Sequence, residues 1–322
     1  MKAYVYGANG AEIADVAKPA PKGTQVLVKV HACGLNRADL GMTKGHVHGS
    51  AGGVGTVLGI EWAGEVAELG PEARGVKVGD KIMGSGGGAF AEYTLADHGR
   101  LFHAPSNMNF DEAATLPVAL ATMHNAVVTN GGLQAGQSVL VQGASSGVGL
   151  MAMQIAKFKG AKLVVGSSTD PTRRSRLKEF GADLAIDSSD PTWVDQVLAA
   201  TNGEGVDLIV DQVSGKVASQ NLAATKIKGR IVNVGRLGGT HADFNFDLHA
   251  ARRINYIGVT FRTRTIEEIR EIFDQVKKDI WPAVEQRRLQ LPIDRVFAFD
   301  DIAAAFAHME ANRHLGKIVV TL

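Results

Sequence analysis

The stretch Val139-Leu140-Val141-Gln142-Gly143-Ala144-Ser145-Ser146-Gly147-Val148-Gly149, running into Leu150-Met151-Ala152-Met153-Gln154-Ile155-Ala156-Lys157, constrains the fold more than any other part of the chain. An aliphatic run of buried-strand character enters a turn built only of small residues, and an apolar helical pattern starts directly behind it. A strand, turn and helix of this kind bring backbone N–H groups at a helix N-terminus against a diphosphate, and only side chains as small as Gly, Ala and Ser permit that approach. The turn therefore predicts a dinucleotide site at Ala144, Ser145, Ser146, Gly147, Val148 and Gly149.

The unit repeats. Strand patterns at 162–166, 184–187, 206–211, 230–234 and 256–261 alternate with helical patterns at 173–180, 193–200 and 217–225. Such alternation implies parallel pairing through right-handed crossovers, hence a doubly wound sheet with ligands at the carboxyl edge of its first strand. Residues 1–120 read differently, as short alternating segments (25–30, 61–66) between Gly and Pro turns, which suggests a mostly β domain. Residues 111–130 are predicted helical, opened by an Asp111 cap. An amphipathic helix is predicted at 266–278, another from Asp300-Asp301 to Met309, and a closing strand at 316–321 that returns to the first domain.

Charge is nearly balanced, 34 basic against 33 acidic residues, so neither nucleic acid nor an anionic membrane surface is indicated as a partner. No apolar run is long enough to span a bilayer and the N-terminus has no signal-peptide core, which reads as cytoplasmic. The single cysteine, Cys33, excludes an intrachain disulfide and a thiolate-rich zinc lobe. A P-loop is excluded because no Gly-Lys-Ser/Thr follows the turn, and a short-chain dehydrogenase because no Tyr is followed four residues later by Lys.

Further motifs carry a resemblance over essentially the whole chain: Cys33-Gly34-Leu35-Asn36-Arg37-Ala38-Asp39-Leu40, Gly59-Ile60-Glu61-Trp62-Ala63-Gly64, Val76 with Gly79-Asp80, Phe180-Gly181-Ala182-Asp183, Gly205-Val206-Asp207 with Asp211, and Gly316-Lys317. With the Gly-rich turn, they make the sequence resemble the zinc-free medium-chain dehydrogenase/reductases of the quinone oxidoreductase (zeta-crystallin-like) family. The resemblance implies an α/β protein with a GroES-like β-rich catalytic domain (1–120 and 263–322) and a Rossmann doubly wound parallel-sheet domain (121–262). It also implies a homodimer paired through the edge strand near 256–261.

Zinc-dependent relatives place a Cys at the position of Asn36 and a His at that of Ile60, and an amide and a branched alkane do not supply that ligand set. No metal is expected; the pair His46 and His48, in a Gly-rich loop without a neighbouring carboxylate, reads as lining a substrate mouth. In the family pattern Ser168, after Ser167, falls where an NAD-binding acid would sit, and Arg173 where a cation for the 2′-phosphate is usual, which favours NADPH, with Arg236 a further candidate and Asp170 acting against it. The pattern also assigns cofactor contacts to Asn36, Thr122, Asp211, Val213, Val234, Gly235, Thr260 and Phe261.

Without a Lewis acid the expected chemistry is zinc-independent hydride delivery from NADPH to a small-molecule acceptor that is already electrophilic, a quinone or another activated carbonyl. The alternatives are an ene-reductase of α,β-unsaturated aldehydes, ketones or enoyl thioesters, and a non-catalytic NADPH-binding structural or RNA-binding protein. Asn36 is the candidate at the nicotinamide end. His46, His48, Lys44 or solvent are the candidate proton donors, because the tyrosines frequent in the relatives' loop are absent here.

Overall fold

The computed structural model describes residues 1–49 and 51–322, which divide into two compact units, 1–121 with 261–322 and 122–260.

In the unit of residues 122–260, the aliphatic run Ser138–Gln142 is buried at every position and becomes an inner strand of a six-stranded parallel sheet. The order across this sheet is Leu184–Ile186, Leu163–Ser167, Ser138–Gln142, Val206–Asp211, Thr225–Asn233 and Asn255–Gly258, with every pairing parallel. Aliphatic side chains on both faces explain why these strands read as near-continuous apolar runs. Leu140, Val165, Ile209 and Ile231 from four neighbouring strands pack with Trp193, Val197 and Leu222 of the covering helices in one core.

In the unit of residues 1–121 and 261–322, the ten-residue strand Gln25–Gly34 pairs antiparallel with Glu61–Leu69, Tyr93–Asp97 and Lys317–Thr321. The closing strand therefore does return to the first domain, with Val319 opposite Gly34 and Thr321 opposite Ala32. The sheet runs Ile293–Ala298, Lys317–Thr321, Gln25–Gly34, Glu61–Leu69, Lys81–Ser85, Leu101–His103, and a smaller sheet of Gly10–Asp15, Lys2–Gly7 and Thr56–Val57 accompanies it. Trp62, Phe90, Phe306, Ile318 and Val320 lie in its core.

Five local expectations are corrected. The helix cap is Asn109, whose side chain accepts from the Glu112 N–H at 2.9 Å, rather than Asp111. The run to residue 130 is three pieces, Phe110–Ala113, Pro117–His124 and a π-helical turn Asn125–Asn130, the first two separated because Pro117 disfavours helical backbone at the residue before it. The segment 173–180 starts earlier, at Pro171 behind an Asp170 cap, and tightens into a 3-10 turn Leu177–Phe180. The last parallel strand stops at Gly258, with Val259 giving one final bond to the Asn233 carbonyl, so Thr260 and Phe261 lie beyond it. The amphipathic helix, conversely, runs past Lys278 through Pro282 to Glu285, because Ile280, Ala283 and Val284 continue its buried stripe.

That helix is clamped to the sheet by a charge pair. The Arg270 guanidinium donates Nε to Asp97 Oδ1 at 2.9 Å and Nη2 to Oδ2 at 2.7 Å, while Thr24 and the Gly99 N–H also donate to the carboxylate. Burial pushes the Asp97 carboxyl up, but these donors outweigh it and hold it at about 2. A carboxyl with a depressed folded-state value contributes stability above its unfolded value that is lost as pH falls through the folded one. Urea titrations are expected to show stability dropping between about pH 4 and pH 2, and Asp97→Asn to remove about 1–2 kcal/mol at pH 7 together with that acid-side slope. An unchanged slope in the variant would show that the clamp does not contribute.

Candidate functional site

Gln142 ends its strand and Gly143 turns the chain with φ +71, a left-handed conformation that disfavours any side chain there. The helix Gly147–Phe158 starts at once, capped by Ser146, whose hydroxyl accepts from the Gly149 N–H at 3.1 Å. A Cβ at Gly149 would lie 2.6 Å from the Gly143 carbonyl and 2.7 Å from Ala144, so the helix approaches the turn more closely than any other residue allows. The first N–H groups of a helix have no intrahelical acceptor, and the dipole favours negative charge in front of them. Free N–H groups at such a helix end, behind a turn with no side chain larger than those of Ala144, Ser145 and Ser146, fit a dinucleotide diphosphate.

Beneath the turn a chain of polar side chains crosses the carboxyl edge of the sheet. Ser167 Oγ accepts from the Gly143 N–H (3.0 Å) and donates to Gln142 Oε1 (2.6 Å); Gln142 Nε2 donates to Asn221 Oδ1 (2.9 Å), and Asn221 Nδ2 to Asp211 Oδ2 (3.0 Å). Asp211 Oδ1 accepts from the N–H groups of Val213 (2.9 Å) and Ser214 (2.8 Å). Burial pushes the Asp211 carboxyl up, and these donors work against it. Ser214 is held at φ 56, ψ −147, a conformation costly for a residue with a side chain, by its hydroxyl bond to the Gly235 carbonyl and a short bond from Asn233 Nδ2. Val234 and Gly235 both donate N–H groups to the Asp211 carbonyl. Ala144–Gly149, Ser167, Ser168, Arg173, Asp211, Val213, Val234 and Gly235 thus share one edge of one sheet. Gln142, Asn221 and Asn233 support them without having been singled out in the sequence, whereas Gln212 and Ser214 fall in the stretch 211–214 expected to follow the cofactor; a Gln closing an otherwise aliphatic strand was the signal for the first of these.

At the far end of this edge Ser168 is buried and donates to Ser145 Oγ at 3.1 Å. Arg236 is exposed, donating to the Val234 carbonyl at 3.3 Å. Thr122 lies in the helix Pro117–His124, one residue past the division between the units, and Thr260 and Phe261 flank the second division.

The other unit holds a buried ionic cluster. Glu61 is wholly buried: Oε1 accepts from the Val118 N–H at 2.6 Å, and Oε2 from Asn36 Nδ2 at 2.9 Å and, through a very short bond, from Lys317 Nζ. Lys317 also donates to Asn36 Oδ1 at 3.0 Å, and Asn36 Nδ2 to the Gly34 carbonyl at 3.2 Å. Both ends of the Asn36 amide are therefore engaged inside the cluster, and Glu61 is the partner of a buried base, Lys317. Asp39 Oδ2 accepts the Asn36 backbone N–H at 2.8 Å, while its Oδ1 is buried without a hydrogen-bond partner. Burial, opposed by Asn36 and Lys317, raises the Asp39 carboxyl to about 8. Burial, reinforced by Asp39 and Glu61, raises the Cys33 thiol well above its ordinary value, and Cys33 Sγ donates to the Ala89 carbonyl at 3.0 Å. A thiol kept protonated, an alkane at Ile60 and a carboxylate satisfied by an ammonium do not fit a zinc site. Among the described residues no three His, Cys, Asp or Glu side chains gather to hold a metal.

His46 is exposed; His48 is half-buried in a bridge to Ala51, and burial, helped by Arg262, lowers its pKa. Its imidazolium form is thereby depleted at neutral pH, which weakens it as a general acid. Lys44 is paired with Glu310 at 2.5 Å. No helix of the described residues is long and apolar enough to cross a membrane.

The alcohol dehydrogenase GroES-like domain model matches residues 22–106 and the zinc-binding dehydrogenase model residues 147–278. Human quinone oxidoreductase is 29% identical over 96% of this chain and 92% of its own length. A highly reducing polyketide synthase of Penicillium crustosum is 31% identical over 92% of this chain, which spans only 12% of that synthase. An alcohol dehydrogenase superfamily protein from Novosphingobium aromaticivorans superposes with a TM-score of 0.89 over 100% of this chain and 99% of its own, at 28% identity.

Asp39 generates a pH dependence. A carboxyl that keeps its proton to about pH 8 when folded, but only to 3.8 when unfolded, makes the folded state bind more protons between those values. Stability from this group therefore falls as pH rises across that window. Asp39→Asn retains an acceptor for the Asn36 N–H and is expected to flatten the slope, gaining on the parent chain as pH rises. Parallel stability profiles of the two proteins would contradict a buried, protonated Asp39.

Proposed function

Because the chain belongs to the zinc-independent medium-chain dehydrogenase/reductases of the quinone oxidoreductase type, we propose that it is an NADPH-dependent oxidoreductase that reduces quinones or other activated carbonyl compounds. The observation that carries this reading is the convergence of the Gly143–Gly149 turn, Ser167, Ser168, Asp211–Ser214 and Gly235 at the carboxyl edge of one parallel sheet. Bound there, the cofactor would supply a hydride from its dihydronicotinamide. The diphosphate would lie on the N–H groups at the start of the helix Gly147–Phe158. The neutral Ser168, with Arg173 opening the next helix, favours NADPH over NADH.

The acceptor must be electrophilic in its own right, since Cys33, Asn36 and Ile60 offer no Lewis acid where zinc-dependent relatives bind one. The proton that completes the reduction comes from solvent or the exposed His46. Asn36, held by Glu61, Lys317 and Gly34, acts as a brace of the loop that follows it. A second acceptor class, enones and enoyl thioesters, draws support from the likeness to a stretch of reducing polyketide synthases.

Anaerobic NADPH oxidation by chelator-treated protein, against a quinone series and an enone series with NADH in parallel, tests the reading. We expect turnover indifferent to chelator and faster with NADPH, and quinones leading the acceptors. Enone turnover with negligible quinone turnover would assign the second class, and cofactor binding without turnover on either series would contradict the proposal.

We also propose a homodimer through the edge strand Asn255–Gly258. Phe246 (75% exposed) and Tyr256 (37% exposed) supply apolar surface beside its unpaired backbone edge. Light scattering is expected to give twice the chain mass; a single-chain mass would overturn this arrangement.

A further inference from the structure

We propose that Arg100 is a specificity-determining residue that recognises a carboxylate group carried by the electrophilic acceptor, an inference that rests on the reductase function proposed above. Arg100 ends the short turn His98–Arg100, directly before the strand Leu101–His103. That strand pairs with Lys81–Ser85, which pairs in turn with Glu61–Leu69, so Leu101 lies opposite Gly84 and Ser85 opposite Glu61. The next residue, Gly86, donates its N–H to the Ile60 carbonyl at 3.0 Å. Arg100 therefore stands at the end of the sheet that holds Glu61 and, through its bond to Glu61, Asn36.

The guanidinium rests on Gly86. A Cβ added there would meet Arg100 Cζ and Nη2 at 3.9 Å and Nη1 at 4.0 Å, near-equal distances that put the flat face of the group over the glycine. This cation has no counterion. Arg100 is half-buried, its Nε is buried without a hydrogen-bond partner, and neither terminal nitrogen has one among the described residues. Asp97 is the carboxylate whose field reaches it, but the acceptor positions of Asp97 are filled by Arg270 Nε and Nη2, the Thr24 hydroxyl and the Gly99 N–H. Two guanidinium groups thus share one carboxylate, which leaves a net positive charge. Burial lowers the pKa of Arg100 and Asp97 opposes the shift, yet a guanidinium stays protonated at any working pH, so its partial burial without a partner carries a standing cost.

A carboxylate would remove that cost. Its two oxygens match the terminal nitrogens of a guanidinium, and each bond is charge-assisted. Gly87 and Gly88, which follow directly, have N–H groups without an acceptor among the described residues, so backbone donors adjoin the cation. A quinone or enone that bears a carboxylate side chain therefore gains at Arg100 what its neutral counterpart does not.

The test compares a naphthoquinone bearing a propionate side chain with the methyl ester of the same compound. Acceptor titrations at saturating NADPH are run beside calorimetric binding of the acid to the chain with NADP+ in the cell. The parent is expected to favour the acid over the ester in kcat/KM by about tenfold, through KM and less so as salt rises. Arg100→Gln is expected to abolish that ratio and to weaken calorimetric binding of the acid by about tenfold. Arg100→Lys is expected to fall between, because it keeps the charge and loses the planar fork. Equal kcat/KM for acid and ester in the parent, or a ratio unmoved in both variants, overturns the inference and leaves Arg100 as packing over Gly86. If neither compound is turned over, the reductase function fails on its own and calorimetry decides the Arg100 site. The site stands if the acid binds and Arg100→Gln loses it, and falls if the acid does not bind or if parent and variant bind it alike.

Discussion

A carboxylate taken fully out of water has to be compensated in place, and Glu61 is compensated by a lysine 256 residues further along the chain. Lys317 is itself only 5% exposed, so neither partner has water to fall back on. Removing one member of such a pair costs about 3–5 kcal/mol. The requirement fixes the closing strand against Gln25–Gly34 and presses Asn36 into a single orientation. It also places the Val118 N–H on the same carboxylate, so the start of the helix Pro117–His124 is tied to the cluster. One desolvated charge therefore ties Asn36, the start of the helix Pro117–His124 and the closing strand to the strand Glu61–Leu69.

The parallel-sheet unit solves a different problem. Its carboxyl edge has to present backbone N–H groups to an anion while keeping the strands' own polar termini satisfied. The chain Gly143, Ser167, Gln142, Asn221, Asp211 does this with consecutive hydrogen bonds, and Asn233 and the Gly235 carbonyl extend it through Ser214. The strained Ser214 persists because its N–H and hydroxyl are both fixed by neighbours. Such fully satisfied buried networks rigidify an edge, which suits a surface that must fit a rigid diphosphate.

The sequence carried most of the fold because its two periodicities are clean. Aliphatic runs buried on both faces marked the parallel strands, and an uninterrupted helical stripe marked the helix after residue 265. What was not read from it is one local spacing and the choices made by tertiary contacts. Asn109 rather than Asp111 caps its helix because Asn109 and Glu112 form a reciprocal capping box, a spacing that Asp111, with Ala114 three residues on, does not have. Pro282 sits inside a helix because the buried stripe continues past it. The turn residues of the dinucleotide edge were legible because only small side chains fit there, whereas Gln142, Asn221 and Lys317 gain their importance from partners 79, 10 and 256 residues away in sequence. Asn36 stood out as a site residue by type and position, and the coordinates add that Glu61, Lys317 and the Gly34 carbonyl orient its amide.

The account centres on direct hydride delivery by bound cofactor with no metal in the site. The most direct measurement is the first turnover of chelator-treated protein, followed by stopped-flow absorbance under anaerobic conditions, with NADPH carrying either hydrogen or deuterium at both nicotinamide C4 positions. The account predicts slower first-turnover oxidation of the deuterated cofactor with a quinone or enone acceptor, at an amplitude untouched by the chelator. Oxidation that vanishes on chelation and returns with added zinc would contradict it.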